Sequence, residues 1–167
     1  MLGTMASDLI VRGYSEGDVP DMARIWNRVV EDGEAFPQED TLSEDEARGF
    51  FGSQTHCGVA ILEGKPVGLY ILHPNNVGRC GHICNCSFAV DPGCRGHGVG
   101  AALVEDSLAA GRDAGFRIMQ FNAVVKENLT AIGLYERLGF IRIGEVPGGF
   151  RHAEGAYHDI LLYYHEL

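Results

Sequence analysis

The sequence predicts an α/β domain built on a mixed sheet with helices on both faces. Three observations carry this. Two strand-like runs, His56 to Glu63 and Pro66 to Leu72, are joined by Gly64-Lys65, which makes an antiparallel hairpin. A strand-like run ending at Val90, a glycine-rich loop, a helical pattern and the apolar run Phe116 to Val125 follow one another as a right-handed parallel crossover does. Elsewhere apolar residues recur at helical spacing in blocks separated by glycine and proline.

Taken in order, Met1 to Asp8 has neither a basic start nor an apolar core, so it reads as a frayed leader and not a secretory signal. Residues 9–167 then read as one domain. Leu9 to Arg12 is a short strand. Asp18 and Pro20 start a helix whose Met22, Ile25, Trp26, Val29 and Val30 share a face, and Gly33 ends it. Glu34-Ala35-Phe36-Pro37 is a loop, because Pro37 disfavours helix at Phe36. Ser43 and Glu46 form a capping box for a second helix reaching about Phe51. The hairpin follows, then a Pro74-Asn75-Asn76 loop, then the strand His82 to Val90.

A third helix places Gly100, Leu103, Val104, Ser107, Leu108 and Gly111 on one face and stops at Gly115. Phe116 to Val125 is nearly continuous in apolar residues, as expected of a central strand covered on both faces. Asn128 caps a fourth helix with Leu129, Ile132, Tyr135 and Leu138 on its apolar side, and Gly139 closes it. Phe140 to Val146 is a strand, broken by Pro147-Gly148-Gly149, and Tyr157 to Tyr164 is the last one.

Composition excludes several classes. A formal net charge of −10 makes the chain a poor nucleic-acid binder. No apolar run approaches the roughly 20 residues of a membrane span. Cys57, Cys80, Cys84, Cys86 and Cys94 are odd in number, which points to free thiols and a cytoplasmic location. No C-x-x-C pair exists, and Cys84-x-Cys86 in a strand leaves little room for a tetrahedral centre, so no metal is expected. Acidic residues crowd residues 16–48, either as a solvated helical face or as a field that draws a cationic amine.

The most informative stretch is Arg95-Gly96-His97-Gly98-Val99-Gly100-Ala101, between a strand and a helix. Alternating glycines let backbone N–H groups face a ligand. A helix N-terminus beyond them favours anions by roughly 0.3–2 kcal/mol per charge. The pattern therefore reads as a diphosphate cradle. Gly96-x-Gly98-x-x-Ala101 matches the dinucleotide fingerprint, but several strands precede it and the next strand ends Val124-Val125-Lys126, with no acidic residue. No Gly-Lys-Ser/Thr follows, which excludes a Walker loop.

With its flanks the loop reads Val90-x-Pro92-x-x-Arg95-Gly96-x-Gly98-x-Gly100. About thirty residues later comes Asn128-x-x-Ala131-x-x-Leu134-Tyr135-x-x-Leu138-Gly139-Phe140. In these two blocks the chain resembles the GCN5-related N-acetyltransferases (GNAT), and the element order extends the resemblance from about residue 9 to the end. The resemblance implies a mixed, mostly antiparallel sheet whose central parallel pair splays to admit CoA. It implies an acetyl-CoA-dependent enzyme in which the loop amides from Arg95 to Ala101 hold the pyrophosphate. The pantetheine arm would pair with Phe88, Ala89 and Val90, an N–H near Phe88 would face the thioester carbonyl, and Asn128 would contact CoA. Tyr135 would protonate the departing thiolate. Homodimers occur among such relatives.

On the acceptor side, Glu34 beside Phe36 is a candidate base if desolvation raises its pKa, with Phe36 lining the site. A water chain ending at backbone carbonyls, His82 and His97 are the alternatives. Asn85 and Asn122 interrupt apolar strands, and a buried amide without partners costs about 1–3 kcal/mol. They either bond a nearby loop or line the acyl-transfer pocket. Asn85-Cys86-Ser87-Phe88, Phe121-Asn122-x-Val124-x-x-x-Asn128 and Val146-Pro147-x-Gly149-x-Arg151 are similar to fungal acetyltransferases of azetidine-2-carboxylate. The Glu34-Ala35-Phe36 loop is similar to phosphinothricin-type amino-acid acetyltransferases. The expected reaction is direct acetyl transfer to an amine of an amino-acid-like or imino-acid-like molecule. Acetylation of a protein amine, and a CoA-binding regulatory module without turnover, are the alternatives.

Overall fold

Hairpin, crossover and helices assemble into one seven-stranded sheet in the computed structural model, which describes residues 8–167. All but Asp8 of the expected leader lies outside the described residues. The strands are β1 (Leu9–Gly13), β2 (His56–Leu62), β3 (Lys65–Pro74), β4 (Ile83–Val90), β5 (Ile118–Val125), β6 (Ile141–Arg151) and β7 (Tyr157–Glu166), in the order β1-β2-β3-β4-β5-β7-β6. Every neighbouring pair is antiparallel except β4 and β5. The helices are α1 (Val19–Asp32), α2 (Glu44–Gly52), α3 (Val99–Asp113) and α4 (Leu129–Arg137).

The period of two along the strands divides the core into two clusters. One joins α1 and α2 to the sheet through Trp26, Met22, Phe51, Leu69, Ile71 and Ala89. The other joins α3 and α4 through Tyr70, Leu72, Cys86, Leu103, Met119 and Phe121. Ile71 and Leu72, adjacent in sequence, thus serve opposite faces, so the helices do lie on both. The predicted α3 face is the buried one. Gly68 lets α3 approach, because a Cβ there would meet Val99 Cγ1 at 2.9 Å.

The capping chemistry acts as expected. Ser43 Oγ accepts the Glu46 N–H at 3.2 Å, and Glu46 accepts the Ser43 N–H at 2.8 Å. Three expectations are corrected. Pro147-Gly148-Gly149 does not break the strand; β6 runs through it to Arg151. It is an edge strand, where proline is tolerated, and a register shift between Val146 and Phe150 absorbs Gly148 at φ +62°. β5 is not covered evenly, since its Asn122 is exposed. Leu129, at the first turn of α4, is also exposed.

Candidate active site

The site begins where β4 and β5 part. They pair only at Ile83–Ile118 and Cys84–Met119, although each strand continues for six more residues. Asp91 N–H donates to Val67 C=O at 2.8 Å, and Asn75 N–H donates to Ile83 C=O at 2.8 Å. With this register the odd residues of β4 bond β3, and the even residues turn their backbone groups toward β5. Beyond Cys84 those are Cys86, Phe88 and Val90, whose N–H and C=O groups face the gap. Ala89 was expected among them. It bonds β3 instead, and its side chain is buried under α1, as strand alternation requires.

The glycine loop closes one end of the gap. Among the described residues, none of the consecutive amides from Arg95 to Ala101 donates an intramolecular hydrogen bond; the first that does is Ala102 N–H, to Gly98 C=O at 3.1 Å. Gly96 and Gly98 adopt φ of +82° and +76° with open space beside them. These are conformations that side chains resist, and they turn successive N–H groups to one side. His97 Nδ1 donates to the Cys94 and Arg95 carbonyls, each at 3.2 Å, and braces the loop from within. Val99 is buried and contributes its amide alone. Asn128 caps α4, its Oδ1 accepting the Ala131 N–H at 3.2 Å, which leaves its amide nitrogen available.

Tyr135 projects from α4 into an aromatic box. Its ring lies 4.6 Å from Phe121, 5.7 Å from Phe140 and 6.3 Å from both Phe88 and Tyr163, between centroids. Burial, with a smaller push from Cys86, raises the phenol well above its ordinary value, so the hydroxyl remains protonated. Phe88 thus packs the phenol with its ring while its amide faces the gap.

The other face of the parting is polar. Asn122 is not buried. It donates through Nδ2 to Asn75 Oδ1 at 2.6 Å, and its Oδ1 accepts from Asn75 Nδ2 at 3.3 Å and Gln120 Nε2 at 3.1 Å. Asn85, cross-strand from His73, is half-buried on that face. The strand-to-loop bond expected as one alternative is therefore present at Asn122. Asn75 was missed, because the loop chemistry of Pro74-Asn75-Asn76 explains its residue type without any role in a site.

Two expectations near α1 are corrected. The Glu34 side chain is 71% exposed, with His152 Nε2 at 3.8 Å, so the apolar pocket beside Phe36 that a buried base would need is not formed around it. Phe36 is buried, its ring 4.4 Å from Trp26, and packs the α1 core instead of lining a site. The loop after α1 is nevertheless anchored: Ala153 N–H donates to Gly33 C=O at 3.1 Å, and Arg151 pairs with Glu39. Burial pushes Cys84 up to about 11 and Cys57 to about 12, and Cys86 well above its usual range. These thiols are not nucleophiles.

Residues 20–140 match the model of the Acetyltransferase (GNAT) family. The chain belongs to that family. It is 33% identical over 159 residues to N-acetyltransferase aca1 of Schizosaccharomyces pombe, covering 83% of this chain and 76% of the relative. A GCN5-related N-acetyltransferase from Kribbella flavida superposes with a TM-score of 0.88 at 32% identity, over 95% of this chain and 98% of that one. A phosphinothricin acetyltransferase from Sinorhizobium meliloti, solved with acetyl-CoA, shares the fold at a TM-score of 0.88 and 23% identity, over 98% and 89%. The protein is an acetyl-CoA-dependent acyltransferase, and its residues fit that co-substrate. A run of outward amides ends at a helix N-terminus, as a diphosphate requires, and strand amides line the gap beyond it.

Proposed function

We propose that residues 9–167 form one N-acetyltransferase domain that moves acetyl from acetyl-CoA directly to the amine of a small amino-acid-like or imino-acid-like molecule. The observation that carries this reading is the uncharged polar face of Asn75, Asn85, Gln120 and Asn122 at the parting of β4 and β5.

Bound acetyl-CoA supplies the activated acetyl thioester. In this reading the amides from Arg95 to Ala101 and the Asn128 amide nitrogen hold its pyrophosphate end. The Phe88 N–H donates to the carbonyl oxygen and to the oxyanion formed on attack, a contribution that mutagenesis elsewhere puts at about 10²–10³ in rate. The Tyr135 hydroxyl donates toward the sulfur as the C–S bond breaks. An ordinary phenol, at about 10, is a weaker acid than an ordinary thiol, at about 8.5. Full transfer to sulfur is therefore uphill, and burial of the phenol adds to that. The hydroxyl acts by hydrogen-bonding the charge that develops on sulfur, which the proton shed by the acylated nitrogen then neutralises. Burial of Cys57, Cys84 and Cys86 argues against an acyl-enzyme on any of these three thiols. Glu34 and the acidic α1–α2 region attract the ammonium form of the acceptor, which loses its proton to water before attack. A cytoplasmic location belongs to this reading; no helix among the described residues is long and apolar enough to cross a membrane.

Release of free CoA thiol, measured with α-amino acids, imino acids, simple amines and lysine peptides, tests the reading. Turnover with free amino or imino acids is expected. Turnover with peptides alone, or acetyl-CoA binding without any turnover, overturns it.

A further inference from the structure

Asn122 sits on β5 just past the last β4–β5 pair, and its amide is tied at both ends. A side-chain amide has one oxygen with two lone pairs and two N–H donors. Both lone pairs of Asn122 Oδ1 are in use, by Asn75 Nδ2 and Gln120 Nε2. One N–H is in use, toward Asn75 Oδ1. What remains is a single N–H. Turning this amide over alone would break the reciprocal pair with Asn75 and the bond from Gln120. Turning all three amides over together keeps every bond, so the network fixes the plane of the Asn122 amide.

From this geometry we infer that Asn75 and Gln120 are positioning residues for acyl transfer: they hold the Asn122 amide in one plane, so that its one free hydrogen-bonding position meets the acceptor. The inference rests on the small-amine reading above and deepens it. An acceptor that uses this site carries a hydrogen-bonding group beside its nucleophilic amine. The brace also makes the loop between β3 and β4 part of the site, although that loop is remote in sequence from β5. Gln120 lies two residues from Asn122, on the same side of β5.

The test is a double-mutant cycle. Asn75→Ala, Gln120→Leu and Asn122→Ala are made singly, and the first two are also combined with Asn122→Ala. Steady-state constants are measured for an amino acid that the wild type acetylates, and for acetyl-CoA. Asn75→Ala and Gln120→Leu are each expected to lower kcat/KM for the amine about three- to tenfold, the effect of one hydrogen bond. KM for acetyl-CoA should stay within about twofold, which is below half a kcal/mol. Neither change should have further effect on top of Asn122→Ala. Losses that multiply fully with that of Asn122→Ala, or an equal rise in KM for acetyl-CoA, overturn the inference and leave the small-amine reading intact. A wild type that acetylates no free amine overturns that reading and this inference with it. If Asn75→Ala fails to fold by circular dichroism, Gln120→Leu carries the same cycle.

Discussion

Arg24 Nη1 lies 3.0 Å from Asp91 Oδ2, and the other Asp91 oxygen accepts the Gly93 N–H at 3.1 Å. Through this pair α1 grips the turn that leads from β4 into the glycine loop. The arginine and the Gly93 amide hold the Asp91 carboxyl below the usual carboxylate range. Arg24→Ala should weaken acetyl-CoA binding by less than about fivefold, since an exposed pair contributes at most about 1 kcal/mol. The difference from wild type should vanish in 1 M salt, where the Debye length is about 3 Å. Titration calorimetry at low and high salt checks both points. A loss above fiftyfold would mean that Arg24 does more than hold the turn.

Gly98 carries φ of +76° with nothing near a notional Cβ, so an alanine there meets strain and no clash. The strain is about 1–2 kcal/mol. Gly98→Ala should therefore lower acetyl-CoA affinity about five- to thirtyfold as the loop relaxes. Gly93→Ala is the comparison, because its φ is not positive and its Cβ would sit 3.6 Å from Asp91. Equal losses in the two variants would remove the backbone explanation.

Tyr135→Phe keeps the ring in its box with Phe121 and Phe140 and deletes only the hydroxyl. The maximal rate should fall at least tenfold, a floor set below the roughly 10²–10⁴ that general acid help supplies, while acetyl-CoA affinity holds. Burial raises the phenol above its ordinary value of about 10, so the acid form persists at every lower pH. A fall in kcat between pH 8 and 9.5 that disappears in Tyr135→Phe would contradict this assignment.

Glu34 is exposed, and in the proposed function it acts through its field on the cationic acceptor. Glu34→Gln should lower kcat/KM for a cationic amine by less than about tenfold, more at low salt than at high. The acidic limb of the pH–rate profile should not move. A limb displaced by one pH unit or more would restore Glu34 as the base.

Asp18 accepts Arg12 Nη1 at 2.7 Å and the Ser15 N–H at 2.8 Å, and the arginine is the main cause of its depressed pKa. A carboxyl depressed in the folded state adds stability above its unfolded value, about 3.9, and loses it as pH falls through the folded value. Thermal unfolding should therefore show wild type and Asp18→Asn furthest apart above pH 5 and converging below pH 3. A gap that widens in acid would reverse the sign.

Much of the site was legible because its chemistry is carried by the backbone. Arg95-Gly96-x-Gly98-x-Gly100 announces its φ values through residue type, since few residues other than glycine adopt them readily, and the structure places them at Gly96 and Gly98. Ser43 with Glu46, Asn128 and Gly139 announce helix ends in the same way. Side-chain environment was less legible. Glu34 and Phe36 are neighbours in sequence, yet one faces water and the other packs on Trp26. Ala89 shares a strand with Phe88, but alternation turns its backbone away from the gap.

The sequence by itself determined the order of strands and helices, the glycine-rich turn ahead of α3 and the position of Tyr135 on its helix, because each follows from local periodicity and from what glycine, proline and capping residues permit. Only the tertiary structure decided that β4 and β5 part after Cys84 and Met119, that Phe88 and not Ala89 turns its amide into that gap, and that Asn75 reaches Asn122. These depend on register and on contacts between residues far apart in the chain, and no local pattern encodes which of several polar residues will meet.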